Sequence, residues 1–125
     1  MKVSNYINFS KKLEDRELIE VLSDIKSNKY ESEINSIRYA IHSEKLDQAG
    51  KIKNGLLGFT TSGTFGASRT KANIVSYSQI LGLDFDDIPL KEINKIKSLI
   101  NRCVYTYASF ISPSGEGLKV FIKIN

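Results

Sequence analysis

A single cysteine, Cys103, and a single histidine, His42, occur in the 125 residues. One cysteine excludes an internal disulfide and a cysteine-rich zinc site, and one histidine excludes a His-based metal cluster or a triad built within the chain. Any bound metal must therefore be held by oxygen, which favours magnesium, manganese or calcium. No apolar run approaches the length of a bilayer crossing, so no membrane partner is expected. The N-terminus, MKVSNYINFSKK, alternates polar and apolar residues and lacks the apolar segment and small-residue cleavage site of a secretory signal, which makes the cytoplasm the expected compartment. Repeats and low-complexity tracts are absent.

The residues that are present describe a soluble globular chain, with 41% hydrophobic and 26% charged residues. A chain of this length reads as a single domain, 1–125, able to bury about 65% of the surface it exposes when unfolded. The net charge of +4 permits a polyanionic partner without demanding one, because the lysines are spread along the sequence.

Residues 2–9 alternate well enough for a first strand. Leu18, Val21, Leu22 and Ile25 carry the spacing of one helix face, and after a polar break at 27–32 a second helix places Ile34, Ile37 and Ile41 on one stripe. That helix runs into QAGK, where Gly50 is its expected stop. His42 lies beside the stripe, a position that is structural. Residues 1–50 thus read as mainly helical and 51–125 as a sheet with one helix. LLGFTTSG reads as a strand, GTFGASRTKAN as a loop, and IVSYSQILGLDFD as one long strand or two broken at the serines. Pro89 suits the first turn of a third helix with Ile93, Ile96 and Ile100 as its buried stripe. VYTYASFIS and GLKVFIKI flank the turn SPSGEG as an antiparallel hairpin. The fold class that follows is α+β, a mainly antiparallel sheet with helices packed on one face.

Alternation along a strand sends Leu81, Leu83 and Phe85 to one face and Gly82, Asp84 and Asp86 to the other. The last strand likewise sends Leu118, Val120, Ile122 and Ile124 inward and Gly117, Lys119, Phe121 and Lys123 outward. Two carboxylates at i and i+2 stand about 7 Å apart along a strand, close enough to serve one divalent cation or to bridge two. Asp84 and Asp86 are therefore candidate ligands of a nucleotide-bound divalent metal. The competing reading pairs Asp84 with Lys119 across the sheet and leaves Asp86 solvated. Asp87 is assigned to the start of the following helix.

GTFGASRT (63–70) misses the phosphate-loop pattern, with Ser68 in place of glycine and Arg69 in place of lysine, and it leads into an extended segment. Arg69 and Lys71 remain as cations on a loop. SPSGEGLK (112–119) is the stronger phosphate site: Ser112 and Ser114 offer hydroxyls, Gly115 and Gly117 allow close backbone approach, and Lys119 adds a point charge. An ordinary hairpin turn would use the same glycines.

LLGFTTSGTF, SYSQILGLDFDDI and YASFISPSGEGLKVFIKI, in this order, resemble the VirE-type N-terminal domain of the archaeo-eukaryotic primase, or primase-polymerase, superfamily. The resemblance implies an RRM-like or ferredoxin-like core in which Asp84 and Asp86 are catalytic and bind metal, and the Ser112–Lys119 hairpin binds nucleotide phosphates. The histidine of that family's second motif has no counterpart here, and its third acidic residue would fall after Asn125. The resemblance thus implies part of a primase or nucleotidyltransferase module, incomplete for catalysis by itself, acting on nucleotides and template DNA with a helicase domain in the same or a neighbouring chain. The alternative is a non-catalytic single-strand-binding module that uses Lys119, Phe121 and Lys123 together with Arg69 and Lys71 on an open sheet face.

Overall fold

The computed structural model describes residues 1–8 and 10–124. Phe9, which closes the expected first strand, and Asn125 lie outside the described residues. The fold is α+β, as the sequence pattern indicates. The chain read as one domain divides into two compact units, 1–78 and 79–125. Among the described residues, no helix is long and apolar enough to cross a membrane.

The first unit begins with an antiparallel pair, β1 (Lys2–Ile7) and β2 (Lys11–Glu17). Six of the seven residues in KKLEDRE are charged, which conceals the strand from a search for alternating apolar residues. This is an edge strand, and charge there discourages pairing with other chains. Three helices follow: α1 (Leu18–Lys26), α2 (Glu31–His42) and α3 (Leu46–Asn54). The expected second helix is thus two. It stops at His42 because Glu44 adopts φ +59° and the amides of Ser43, Glu44 and Lys45 turn back onto the carbonyls of Tyr39, Ile41 and Ala40. Gly50 is interior to α3 and terminates nothing. Ile37, Ala40 and Ala49 form the core of this helix pair, with Ile41, Ile52 and Leu56 packed against it. Short strands β3 (Gly58–Phe59), β4 (Gly63–Phe65) and β5 (Ile74–Tyr77) complete the unit: β3 joins β1 in the order β2-β1-β3, while β4 pairs with β5.

Ser4, fully buried on β1, ties these pieces together. Its hydroxyl donates to Asp15 Oδ1 at 2.5 Å and accepts from the Phe65 amide at 2.9 Å. Its own amide donates to Thr60 Oγ1 at 3.1 Å. Lys12 Nζ reaches both Asp15 Oδ1 at 3.0 Å and the Phe65 carbonyl at 2.6 Å. One hydroxyl therefore bridges β2 and β4 from the strand beside them. Burial alone would raise the pKa of Asp15, but the Ser4 hydrogen bond and the Lys12 ammonium together hold it below the ordinary value. Asp24 is also held low, chiefly by its hydrogen bond from Arg16, despite an opposing effect of burial.

A carboxylate whose pKa falls on folding adds stability that is complete above its unfolded value, about 3.9, and that is lost as pH drops through the lower folded value. Ser4→Ala strips Asp15 of its hydroxyl donor, leaving it the Lys12 ammonium, and leaves the buried Phe65 amide without its acceptor, a loss of about 1–3 kcal/mol. We expect urea unfolding at pH 7 to report that loss, and the decline in stability below about pH 4 to be shallower than in the parent. Equal midpoints for parent and variant at both pH values would refute the bridging role.

The second unit runs β6 (Ile80–Phe85), α4 (Ile93–Asn101), β7 (Thr106–Ile111) and β8 (Leu118–Lys123). Gln79, at φ +62°, separates β5 from β6, so the long extended stretch is two strands belonging to different sheets. The sheet order is β6-β8-β7, with β8 antiparallel to both neighbours. The crossover through α4 therefore returns β7 parallel to β6 and leaves a gap that β8 fills, a split β-α-β arrangement. Ile93, Leu118 and Val120 form the core beneath the helix, with Leu83, Ile88, Ile96, Ile100, Ile111 and Ile122 around them. Burying Leu118 and Val120 contributes about 1.5–3 kcal/mol each.

Three expectations need correction here. Leu81, Phe85 and Ile124 remain 46%, 43% and 46% exposed, because nine-residue α4 shelters the middle of the sheet, where Leu83 packs into the core, and leaves the strand ends to solvent. The helix starts at Ile93, not at Pro89, whose carbonyl instead accepts from the Glu92 amide in a turn. Asp87 consequently takes no part in the helix start and sits at φ +55° in the connection.

Candidate functional site

The register of β8 determines which side chains meet. Asp84 lies opposite Lys119, Phe85 opposite Leu118, and on the other side Phe110 opposite Lys119 and Ile111 opposite Leu118. One step beyond the paired residues, the Ser112 amide donates to the Gly117 carbonyl at 2.9 Å. Asp86 and Ser112 therefore flank Gly117 at the end of the sheet, on the face away from α4 that also carries Asp84, Lys119 and Phe110.

Gly117 is required by this close approach. A Cβ built on it would lie 2.6 Å from the Phe85 carbonyl oxygen, 3.3 Å from Ser112 Oγ and 3.4 Å from Asp86 Oδ1. The missing side chain thus leaves a carboxylate oxygen and a hydroxyl facing the same small space. Beside it, the turn 112–115 closes with the Gly115 amide donating to the Ser112 carbonyl at 2.9 Å, Gly115 being at φ +79°. The Gly115 amide is consumed by the turn, so this glycine shapes the loop but does not offer its N–H to a ligand. Ser112 and Ser114 share a hydrogen bond between hydroxyls at 3.0 Å, and the Glu116 amide donates to Ser114 Oγ at 3.3 Å. A further bond, from the Ile88 amide to the Glu116 carbonyl at 2.8 Å, anchors the turn to the segment after β6.

Lys119 Nζ donates to Asp84 Oδ1 at 2.8 Å, with the two side chains 36% and 62% exposed. Of the two sequence readings of Asp84, the cross-strand pair with Lys119 is the one formed, and Asp86 lies two residues along on the same face. A pair this exposed contributes at most about 1 kcal/mol to stability. Asp84, Asp86 and Lys119 together leave this end of the sheet with a negative charge. Among the described residues, no group of three or more His, Cys, Asp and Glu side chains is placed to hold an ion. The donors available at the site are hard oxygens, the kind Mg²⁺ and Mn²⁺ take, and an ion on two carboxylates completes its shell with water and ligand oxygens. The residues fit that role.

Of the residues proposed from sequence, Asp84, Asp86, Ser112, Ser114, Gly115, Gly117 and Lys119 come together in this one unit. Lys123 is on the same face at the other end of β8, about 13 Å away by strand rise. Arg69 and Lys71 belong to the first unit, where the Arg69 guanidinium lies 5.4 Å from the centre of the Tyr6 ring. Phe121 does not present a ring for stacking, being only 3% exposed and packed edge-on against Phe110 at 5.5 Å between ring centres. Phe110 itself is half-buried and went unnoticed in the sequence. Its signal is the period-two step from Phe110, on β7, to Ser112, where the turn begins.

A family model described as BT4734-like, N-terminal domain, matches residues 51–125, more than half of the chain. This overturns the VirE-type and primase-polymerase assignment, including the primase-polymerase identity given to the core, because the matched family is a different one. No curated protein and no solved structure matches the chain.

Gly117→Ala would drive its methyl group into the Phe85 carbonyl and split β6 from β8 at the site. We expect a loss of about 1–3 kcal/mol in denaturant unfolding, with amide exchange accelerated at the Phe85 end of β6. An unfolding midpoint equal to the parent's would show that close approach does not demand glycine there.

Proposed function

The chain belongs to the BT4734-like N-terminal domain family, and from the geometry of its second unit we propose that it binds the phosphates of a nucleotide together with a divalent cation, Mg²⁺ or Mn²⁺. The observation that carries this reading is the convergence of Asp86 Oδ1 and Ser112 Oγ over Gly117, two residues along the strands from the Asp84–Lys119 pair. Such a site suits a ligand that brings oxygen atoms of its own. Asp84 and Asp86 would hold the ion, whose role is to neutralise the phosphate oxygens beside them. Lys119 supplies a point charge to the phosphate, and of the hydrogen-bonded Ser112–Ser114 pair the hydroxyl that accepts from the other is the one that donates to a phosphate oxygen.

Charge supports the pairing of ion with phosphate. Two carboxylates against one ammonium repel a polyphosphate, whereas the same groups carrying a divalent ion attract it. The cation and the phosphate should therefore bind cooperatively. The single-strand-binding alternative is weakened by the burial of Phe121. The compartment that goes with a nucleotide ligand is the cytoplasm.

Calorimetric titration of the full chain with ATP provides the test. Binding in Mg²⁺ or Mn²⁺ should be about tenfold tighter, or more, than in chelator. An Asp84→Ala, Asp86→Ala double variant should lose that difference. Cation-independent binding, or equal binding by the double variant, would overturn the reading.

A further inference from the structure

We infer that the ligand at this site is recognised through an aromatic base as well as through phosphate, and that Phe110 is the stacking residue. This inference rests on the nucleotide-phosphate reading above. Phe110 is the direct cross-strand partner of Lys119 and shares the face away from α4. It precedes Ser112 by two residues, which places it about 7 Å along the strand from the hydroxyl over Gly117. A phosphate held between Ser112 and Lys119 thus leaves the next part of the ligand within reach of the Phe110 ring.

The ring is also held in place. Phe121, buried on the adjacent strand, meets it at an interplanar angle of 88° with 5.5 Å between centres. That contact restrains Phe110 from one side, while the half-buried state of Phe110 keeps part of its surface in contact with solvent. An aromatic group fixed before binding loses little freedom when a planar ligand stacks on it, and every base has a π-face to offer. Specificity among bases is expected to be weak, because stacking does not read a hydrogen-bonding edge.

The experiment compares the four ribonucleoside triphosphates with inorganic tripolyphosphate, all in Mg²⁺, on the full chain and on Phe110→Leu and Phe110→Tyr variants. The nucleotides should bind about tenfold tighter than tripolyphosphate in the parent. Phe110→Leu should erase that advantage without changing tripolyphosphate affinity, and Phe110→Tyr should preserve it. If nucleotides and tripolyphosphate bind the parent equally, the base inference fails and the phosphate reading stands. If Phe110→Leu weakens both ligands alike, Phe110 is only a packing residue and the inference fails. If neither ligand binds the parent, both readings fall together.

Discussion

The antiparallel pairing of β8 with both β6 and β7 is the constraint on which the second unit depends. A side chain on a strand faces alternate sides with a period of two, so a slip of one residue would send Lys119 and Phe121 into the helix-covered core and bring Leu118 and Val120 out. The burial of Leu118 and Val120 beneath α4 makes that slip costly. Apolar packing on one face thereby sets the polar arrangement on the other. The Asp84–Lys119 contact contributes little stability of its own, yet its position is fixed by residues it does not touch.

The same division of labour explains why so much of this site was legible in the sequence. The alternation in LGLDFDD and GLKVFIK assigns Asp84, Asp86, Gly117 and Lys119 to one face, and the SPSGEG turn brings the second segment back beside the first. Failures began where burial depends on the extent of the neighbouring element and not on alternation. Leu81 and Phe85 have the correct parity for the core but lie toward the ends of a strand of which a nine-residue helix shelters only the middle, at Leu83. Phe121 has the parity of the polar face and is buried nonetheless. Alternation gives a side chain's direction; the length and placement of its covering layer decide whether water reaches it.

Other misreadings have a common origin in residues that act through backbone conformation. Glu44, Gln79 and Asp87 adopt positive φ without being glycine, and they end α2, separate β5 from β6 and follow β6, respectively. Glycine and proline are the usual punctuation of a chain, so Gly50 and Pro89 drew the boundaries toward themselves. Polar residues in the left-handed region mark boundaries instead at Glu44, which ends α2, and at Gln79, between β5 and β6. The charged strand β2 is the complementary case, an element with the wrong composition for its conformation, formed because β1 supplies its partner.

Residues 51–125, the family segment, are not a self-contained piece of this structure. Their first strands, β3 and β4, lie in the first unit, where β3 is only two residues long and pairs with β1. The Thr60 amide donates to the Ser4 carbonyl at 3.0 Å, and the Phe65 amide reaches the Ser4 hydroxyl. A two-residue strand has too few ladder bonds to persist unaided, so the conformation of 58–65 depends on residues outside the match. The site at Asp84, Asp86 and 112–119 depends instead on β6, β7, β8 and α4, all of them within the matched segment. The two halves of the family segment thus differ in what sustains them: the site is built by its own unit, and the strands that precede it are built on β1.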